Sequence, residues 1–296
     1  MKKEFQRIDF QDQISRNKWK SFFLMSAVFL VLVLFGYFIS IAFGQGYFFI
    51  IMAISIIFSL SYLLLTYYHS DKIAIASVGA KPASREKYRQ YYSLVEGLTI
   101  ASGIPMPKLY VMPSSQINAF ASGRNPHNAV VCVTEGALQK LDKKELEGVL
   151  AHELSHIANY DIRYMTLVTV MVGLIAIISE IFLRSFWFSN RDDNRNWIFM
   201  LIGIAIAIIA PIVVYLIQMS ISRKREFAAD ASAVKFTRYP SGLIAALKKI
   251  QRENQPERKV SKAVAPLFFA NPLKGLKNLG STHPPIEERI KILEKM

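Results

Sequence analysis

With 296 residues, 52% of them hydrophobic, and a positive mean hydropathy, the chain is too apolar for all of it to lie in water. Its net charge of +14 would suit a nucleic-acid binder, but the placement of that charge along the chain argues for a different partner. A single cysteine, Cys132, excludes an intrachain disulfide, and within Ala129-Val130-Val131-Cys132-Val133 it reads as a small core residue on a strand.

Residues 1–20 carry six basic and three acidic side chains and read as a polar, amphipathic lead. Two apolar runs follow, 22–43 and 47–66, each about 20 residues and so long enough to cross a bilayer as a helix. Gly44-Gln45-Gly46 joins them without charge, which predicts a first membrane hairpin over 21–67. The first run is longer than the apolar core of a signal peptide and lacks a clear A-x-A cleavage site, so it reads as a retained anchor.

From about Tyr68 the chain is water-compatible as far as residue 163. Tyr88, Tyr91, Leu94, Val95 and Leu98 recur at helical spacing and predict a helix over 84–102, with Ser84 as its cap and Gly103 as its stop. Residues 108–112, 117–121 and 129–133, divided by Pro, Ser, Gly and Asn, predict three short strands and a small sheet. A short helix is expected over 134–141. Asp142 then opens a helix over 143–158, with Glu145 three places on to complete a capping box.

Two more apolar runs, 165–183 and 197–219, predict a second membrane hairpin over 164–220, kinked at Pro211. The alternative is a buried pair of core helices. Residues 223–296 carry sixteen basic and seven acidic side chains, whereas the 184–196 loop carries three and two. The positive surplus therefore lies on one side of the four spans, the cytoplasmic side by the positive-inside rule. Lysines beside anionic lipid account for that surplus, and no nucleic-acid partner is expected.

The helix over 143–158 contains His152-Glu153-Leu154-Ser155-His156. One helical turn apart, His152 and His156 can reach a single metal ion, with Glu153 beside them to serve a water there. Two histidines leave a catalytic zinc site one protein ligand short. A membrane hairpin over 164–220 would bring the chain back to the same face, where Glu226-Phe227-Ala228-Ala229-Asp230 offers acids at i and i+4. Glu226 is thus the candidate third ligand, and Asp230 the candidate to orient a ligating imidazole. The competing assignment is a surface helix that pairs both acids with Arg223 or Arg225.

These motifs together, with Gln116-Ile117-Asn118-Ala119-Phe120-Ala121 and Ser281-Thr282-His283-Pro284-Pro285, resemble the HtpX-type membrane zinc metalloproteases, relatives of the CAAX prenyl endopeptidases. The resemblance runs from the first span to the C-terminus. It implies an α+β, mainly α fold in which a zincin-like (gluzincin) protease domain with a small β-sheet, in halves 68–163 and 221–296, joins four transmembrane helices in two hairpins. It further implies a multi-pass protein of a bacterial inner membrane with active site and both termini cytoplasmic, acting on polypeptides, chiefly damaged or misfolded membrane proteins. One Zn2+ per chain would be held by His152, His156 and Glu226, with Glu153 as general base.

His283, set in direction by two prolines, is either an oxyanion donor or a turn residue with no role. Asn118, Ala119 and Phe120 form either a substrate-pairing edge or an ordinary interior strand. Two rival functions are a narrow prenyl-substrate protease and a non-enzymatic scaffold with a structural metal. Four spans enclose less volume than a large intramembrane chamber needs, and three strong ligands leave a metal position open rather than closed.

Overall fold

Two long apolar helices lead into a mixed four-stranded sheet covered by helices in this computed structural model, which describes residues 10–42, 45–168, 223–253, 267–270 and 284–296. Most of the expected second membrane hairpin, the loop within it and His283 lie outside the described residues.

Helix α1 (Phe10–Ala42) joins the expected lead and first span in one element, since no Gly or Pro interrupts residues 10–35. A 3-10 turn at Gln45–Tyr47 leads to α2 (Phe48–Ser77), which continues past the end of its apolar run but loses helical geometry at His69 (φ −118°, ψ 16°). Both are long and apolar enough to cross a membrane. Phe22, Phe23, Leu30, Phe49, Ile54, Ile57 and Leu65 are exposed on them, a surface that water would penalise and lipid would not. The pair packs closely where Gly36 meets Ser55: a β-carbon on Gly36 would lie 2.2 Å from the Ser55 hydroxyl.

Strand β1 (Lys81–Pro82) was not expected; it pairs antiparallel with β2 (Lys108–Met112). Helix α3 (Arg89–Ser102) begins later than its apolar spacing suggests, because Tyr88 N donates to Ser84 O and closes a separate turn first. It stops where expected, at Gly103, whose φ of 70° suits glycine. Strands β3 (Ala119–Asn125) and β4 (Asn128–Thr134) form a hairpin longer than the alternation indicated, closed by Asn125 Oδ1 accepting from Asn128 N at 2.9 Å. The order is β1-β2-β4-β3, with β2 and β4 parallel.

Thr134 caps the short α4 (Glu135–Lys140) and Asp142 caps α5 (Lys143–Ala158). In the latter, Asp142 Oδ1 accepts from Lys144 N and Glu145 N, and Glu145 Oε2 accepts from Asp142 N at 2.8 Å, so both halves of the capping box form. Helix α5 is central, in contact with α3, β3, α6 (Arg223–Thr237) and α7 (Pro240–Glu253). Its crossing with α7 is tight: a β-carbon on Gly148 would lie 2.7 Å from Leu243 N. The C-terminal α8 (Ile286–Leu293) packs on α7 and α6. After α5, Tyr160 takes a left-handed conformation (φ 58°), and the chain turns into a helical stretch over 161–168 that packs on Leu24 and Val28 of α1.

Candidate metal centre

The cap at Asp142 fixes the phase of α5, and that phase presents His152 and His156 to α6, which carries Glu226. All three side chains are buried, and one ligand atom from each lies within 4.8 Å of the others. The two Nε2 atoms are 3.2 Å apart, and Glu226 Oε2 and Oε1 lie 3.5 Å and 3.7 Å from those of His152 and His156.

The far side of each ring is held by its own carboxylate. His152 Nδ1 is 2.9 Å from Asp230 Oδ1, and His156 Nδ1 is 3.1 Å from Asp161 Oδ2. A carboxylate only accepts, so each Nδ1 carries the proton and each Nε2 turns a lone pair inward. Two lone pairs 3.2 Å apart repel unless a cation lies between them, and two imidazoles with one carboxylate are a donor set suited to zinc. The residues present therefore fit a divalent metal. Burial opposes charge on His156, but the Asp161 hydrogen bond and the carboxylates of Glu226 and Glu153 outweigh it and push its pKa up to about 9.

Asp230 was expected near a ligating imidazole and is brought to one. Its guanidinium partner is neither Arg223 nor Arg225 but Arg289 on α8, fully buried, whose Nε and Nη2 donate to the two carboxylate oxygens at 2.9 Å and 2.7 Å. Burial works against ionisation of Asp230, yet Arg289 and His152 hold it below the usual carboxylate range. Arg289 Nη1 reaches Phe269 O at 3.4 Å, and the guanidinium lies over the Phe269 ring at 4.5 Å. That ring in turn stands edge-on to His152, 4.9 Å away.

The strand edge at Asn118, Ala119 and Phe120, expected as either a substrate-pairing edge or an interior strand, carries a segment of the chain itself. Phe269 N donates to Ala119 O at 2.8 Å, Phe120 bridges Phe268, and Asn118 Nδ2 and Oδ1 bond Ala270 O and N. The chain itself occupies this edge because Phe268 and Phe269 find apolar cover there, Phe268 against Phe120 at 5.2 Å. Cys132 is buried, and burial pushes its thiol up, as suits a core residue and not a nucleophile.

Sequence reasoning missed Asp161, Arg289, Phe269 and Asn17. Asp161 was findable as the acid just beyond the helix that carries both histidines. Arg289 and Asn17 are far from their partners along the chain, and no periodicity connects them.

The profile of peptidase family M48 matches residues 83–296. A protein of Dictyoglomus thermophilum named protease HtpX homolog is 44% identical over 290 residues, 97% of this chain and 95% of its own. Another so named, from Caldanaerobacter subterraneus subsp. tengcongensis, is 44% identical over 289 residues, 95% of this chain and 96% of its own. A third, from Streptococcus gordonii, is 38% identical over 300 residues, 96% and 99% respectively. The crystal structure of S. mikatae Ste24p is similar in fold, with a TM-score of 0.52 at 20% identity; the match covers 95% of this chain and 66% of that one.

Proposed function

The chain belongs to peptidase family M48 and is a metalloprotease, and from that premise we propose that it is a multi-pass membrane endopeptidase with one Zn2+ held by His152, His156 and Glu226. The observation that carries this reading is the convergence of three buried ligand atoms within 4.8 Å, with both imidazoles held from behind by carboxylates. M48 peptidases are zinc-dependent, and the two apolar helices support association with a membrane.

In the proposed gluzincin arrangement the soluble halves 68–163 and 221–296 meet on the cytoplasmic face of a bacterial inner membrane, and the apolar runs 165–183 and 197–219 supply two further spans. The basic surplus beside the spans supports that orientation. The substrates we assign are damaged or misfolded membrane proteins, because a site next to the bilayer meets chains that leave it.

Zinc bound there supplies a Lewis acid that acidifies water and polarises the scissile carbonyl. Glu153, buried beside His152, takes the proton of the attacking water and passes it to the leaving amine. Asp230 and Asp161 keep each Nδ1 protonated and each Nε2 directed inward. His283 is proposed as a donor to the developing oxyanion. Asn118, Ala119 and Phe120 are proposed to pair with extended substrate, which gains that edge by replacing the hydrogen bonds of Phe269 and Ala270 with its own.

The test compares wild type with Glu153→Gln, purified in detergent. Both should hold near-equimolar zinc, while casein cleavage falls by about two to four orders of magnitude in the variant, the usual weight of a general base. Persistent cleavage by Glu153→Gln would remove Glu153 from the proposed role. Glu226→Ala should lose the metal, and full zinc content there would remove Glu226.

A further inference from the structure

We propose that the first membrane helix is a working part of the metal centre, and that Asn17 on it is a positioning residue acting through Asp161 on His156. This rests on the metal reading above but is separable from it.

The connection is short and continuous. Asn17 Nδ2 donates to Asp161 Oδ1 at 2.7 Å and to Asn159 O at 3.2 Å, and Asp161 Oδ2 faces His156 Nδ1 at 3.1 Å. Asn17, Asn159, Asp161 and His156 are all buried, with exposures of 3%, 2%, 0% and 5%. Both partners of Asn17 are oxygens that only accept, so the amide can point only its NH2 at them. Each of its two N–H groups has one acceptor.

An anchor needs none of this. A helix that only holds the protein in lipid requires apolar surface, and a buried Asn directed at the peptidase adds nothing to insertion. Here α1 grips the turn after α5 at several points. The Lys18 ammonium lies 5.0 Å from the centre of the Tyr160 ring, on the residue whose left-handed backbone (φ 58°) brings Asp161 back towards His156. About two to three turns further along, Leu24 and Val28 pack on Tyr164, Leu167 and Val168. The turn over 159–161 is thus clamped between the helix that carries the ligands and the helix in the membrane. Asp161 depends on that clamp. Without the Asn17 donor one of its oxygens is buried with no such partner, and the carboxylate is free to turn from the imidazole it orients.

The experiment uses full-length protein in detergent. Zinc affinity is read by chelator competition, and ligand geometry by the absorption bands of the Co2+-loaded protein. Asn17→Ala removes both donors; Asn17→Leu does the same while keeping bulk and suiting an apolar helix, so that at least one folded variant is available. Both should bind zinc about tenfold more weakly, the low end for a group supporting a metal ligand, and both should shift the Co2+ bands. In an Asp161→Ala background Asn17→Ala should add nothing. Ser15→Ala, exposed on the same helix, should match wild type.

A folded Asn17 variant with a lower melting temperature but unchanged zinc affinity and Co2+ spectrum would overturn the proposal, as would additivity with Asp161→Ala. If wild type binds zinc and His156→Ala does not, such a result sinks only the role of Asn17. If His156→Ala keeps full affinity, the metal reading fails first.

Discussion

Replacing Arg289 with Met keeps most of the side-chain bulk but leaves a buried anion, Asp230, without its guanidinium. Arg289 and Asp230 are exposed by 1% and 0%, and two hydrogen bonds of 2.9 Å and 2.7 Å join them. Removing one partner of a buried ion pair typically costs about 3–5 kcal/mol. The pair is also stacked, and loss of the guanidinium over Phe269 at 4.5 Å adds to the deficit. Some compensation comes from His152, which still donates to Asp230, so the lower half of that range is expected. At about 2–4 °C per kcal/mol for a domain of this size, the thermal midpoint should fall by roughly 6–16 °C. The sign with pH is fixed by the depressed Asp230 carboxyl. Its contribution is present above the ordinary carboxylate pKa and is lost as pH falls through the lowered native value, so the deficit should be full at neutral pH and shrink in acid. The assay is thermal unfolding of zinc-free protein in detergent, so that metal binding does not add to native stability. Asp230→Asn with Arg289→Met should recover much of the loss, because no charge is then left unpaired. A single-variant cost under about 1 kcal/mol, or a double variant equal to the sum of the singles, would refute the reasoning.

Two further outcomes follow from the same centre. Gly148→Ala places a methyl 2.7 Å from Leu243 N and 2.9 Å from its Cα, both backbone atoms; it should destabilise by about 1–3 kcal/mol and, by moving α5, loosen zinc, as unfolding and chelator competition would show. Zinc should also displace the His156 proton: the imidazole, ordinarily near 6.5, is pushed up to about 9, so its stabilising charge is full below 6.5 and fades as pH rises through 9. Calorimetry at pH 7.5 in buffers of different ionisation enthalpy should report about one proton released per site, and none would contradict the arrangement.

What was legible in the chain was local. Helix α5 starts and ends where expected because Asp142 and Glu145 close its first turn within the sequence neighbourhood, and β2 matches because Pro107 and Pro113 bracket it. The histidine pair was legible for the same reason, since i and i+4 on one helix needs no tertiary knowledge. Strand β1 was not, because two residues, one a proline, become a strand only through the Lys81–Val111 pairing. Nor was the start of α1. The change from charged to apolar residues near Lys20 marks an environment, and the helix ignores it because helix propensity does not change there. The supports of the proposed ligands were the least legible. Arg289 meets Asp230, and Asn17 meets Asp161, only because separate helices fold onto the same two aspartates.

The segment laid along β3 gives the sheet a property unrelated to zinc. One outer strand, β1, is two residues long, and the other is covered by Phe268–Ala270 and by Thr166, whose hydroxyl accepts from Gly123 N. Among the described residues neither border offers a long run of open backbone groups, which is how β-proteins avoid zippering onto one another. A protease acting on unfolded chains, as proposed above, would have special need of that protection. It also means that an incoming strand trades hydrogen bonds nearly one for one at β3, so pairing there gains little net free energy. On the proposed pairing, capture would be weak and readily reversed, and a cleaved chain would leave as easily as it arrived.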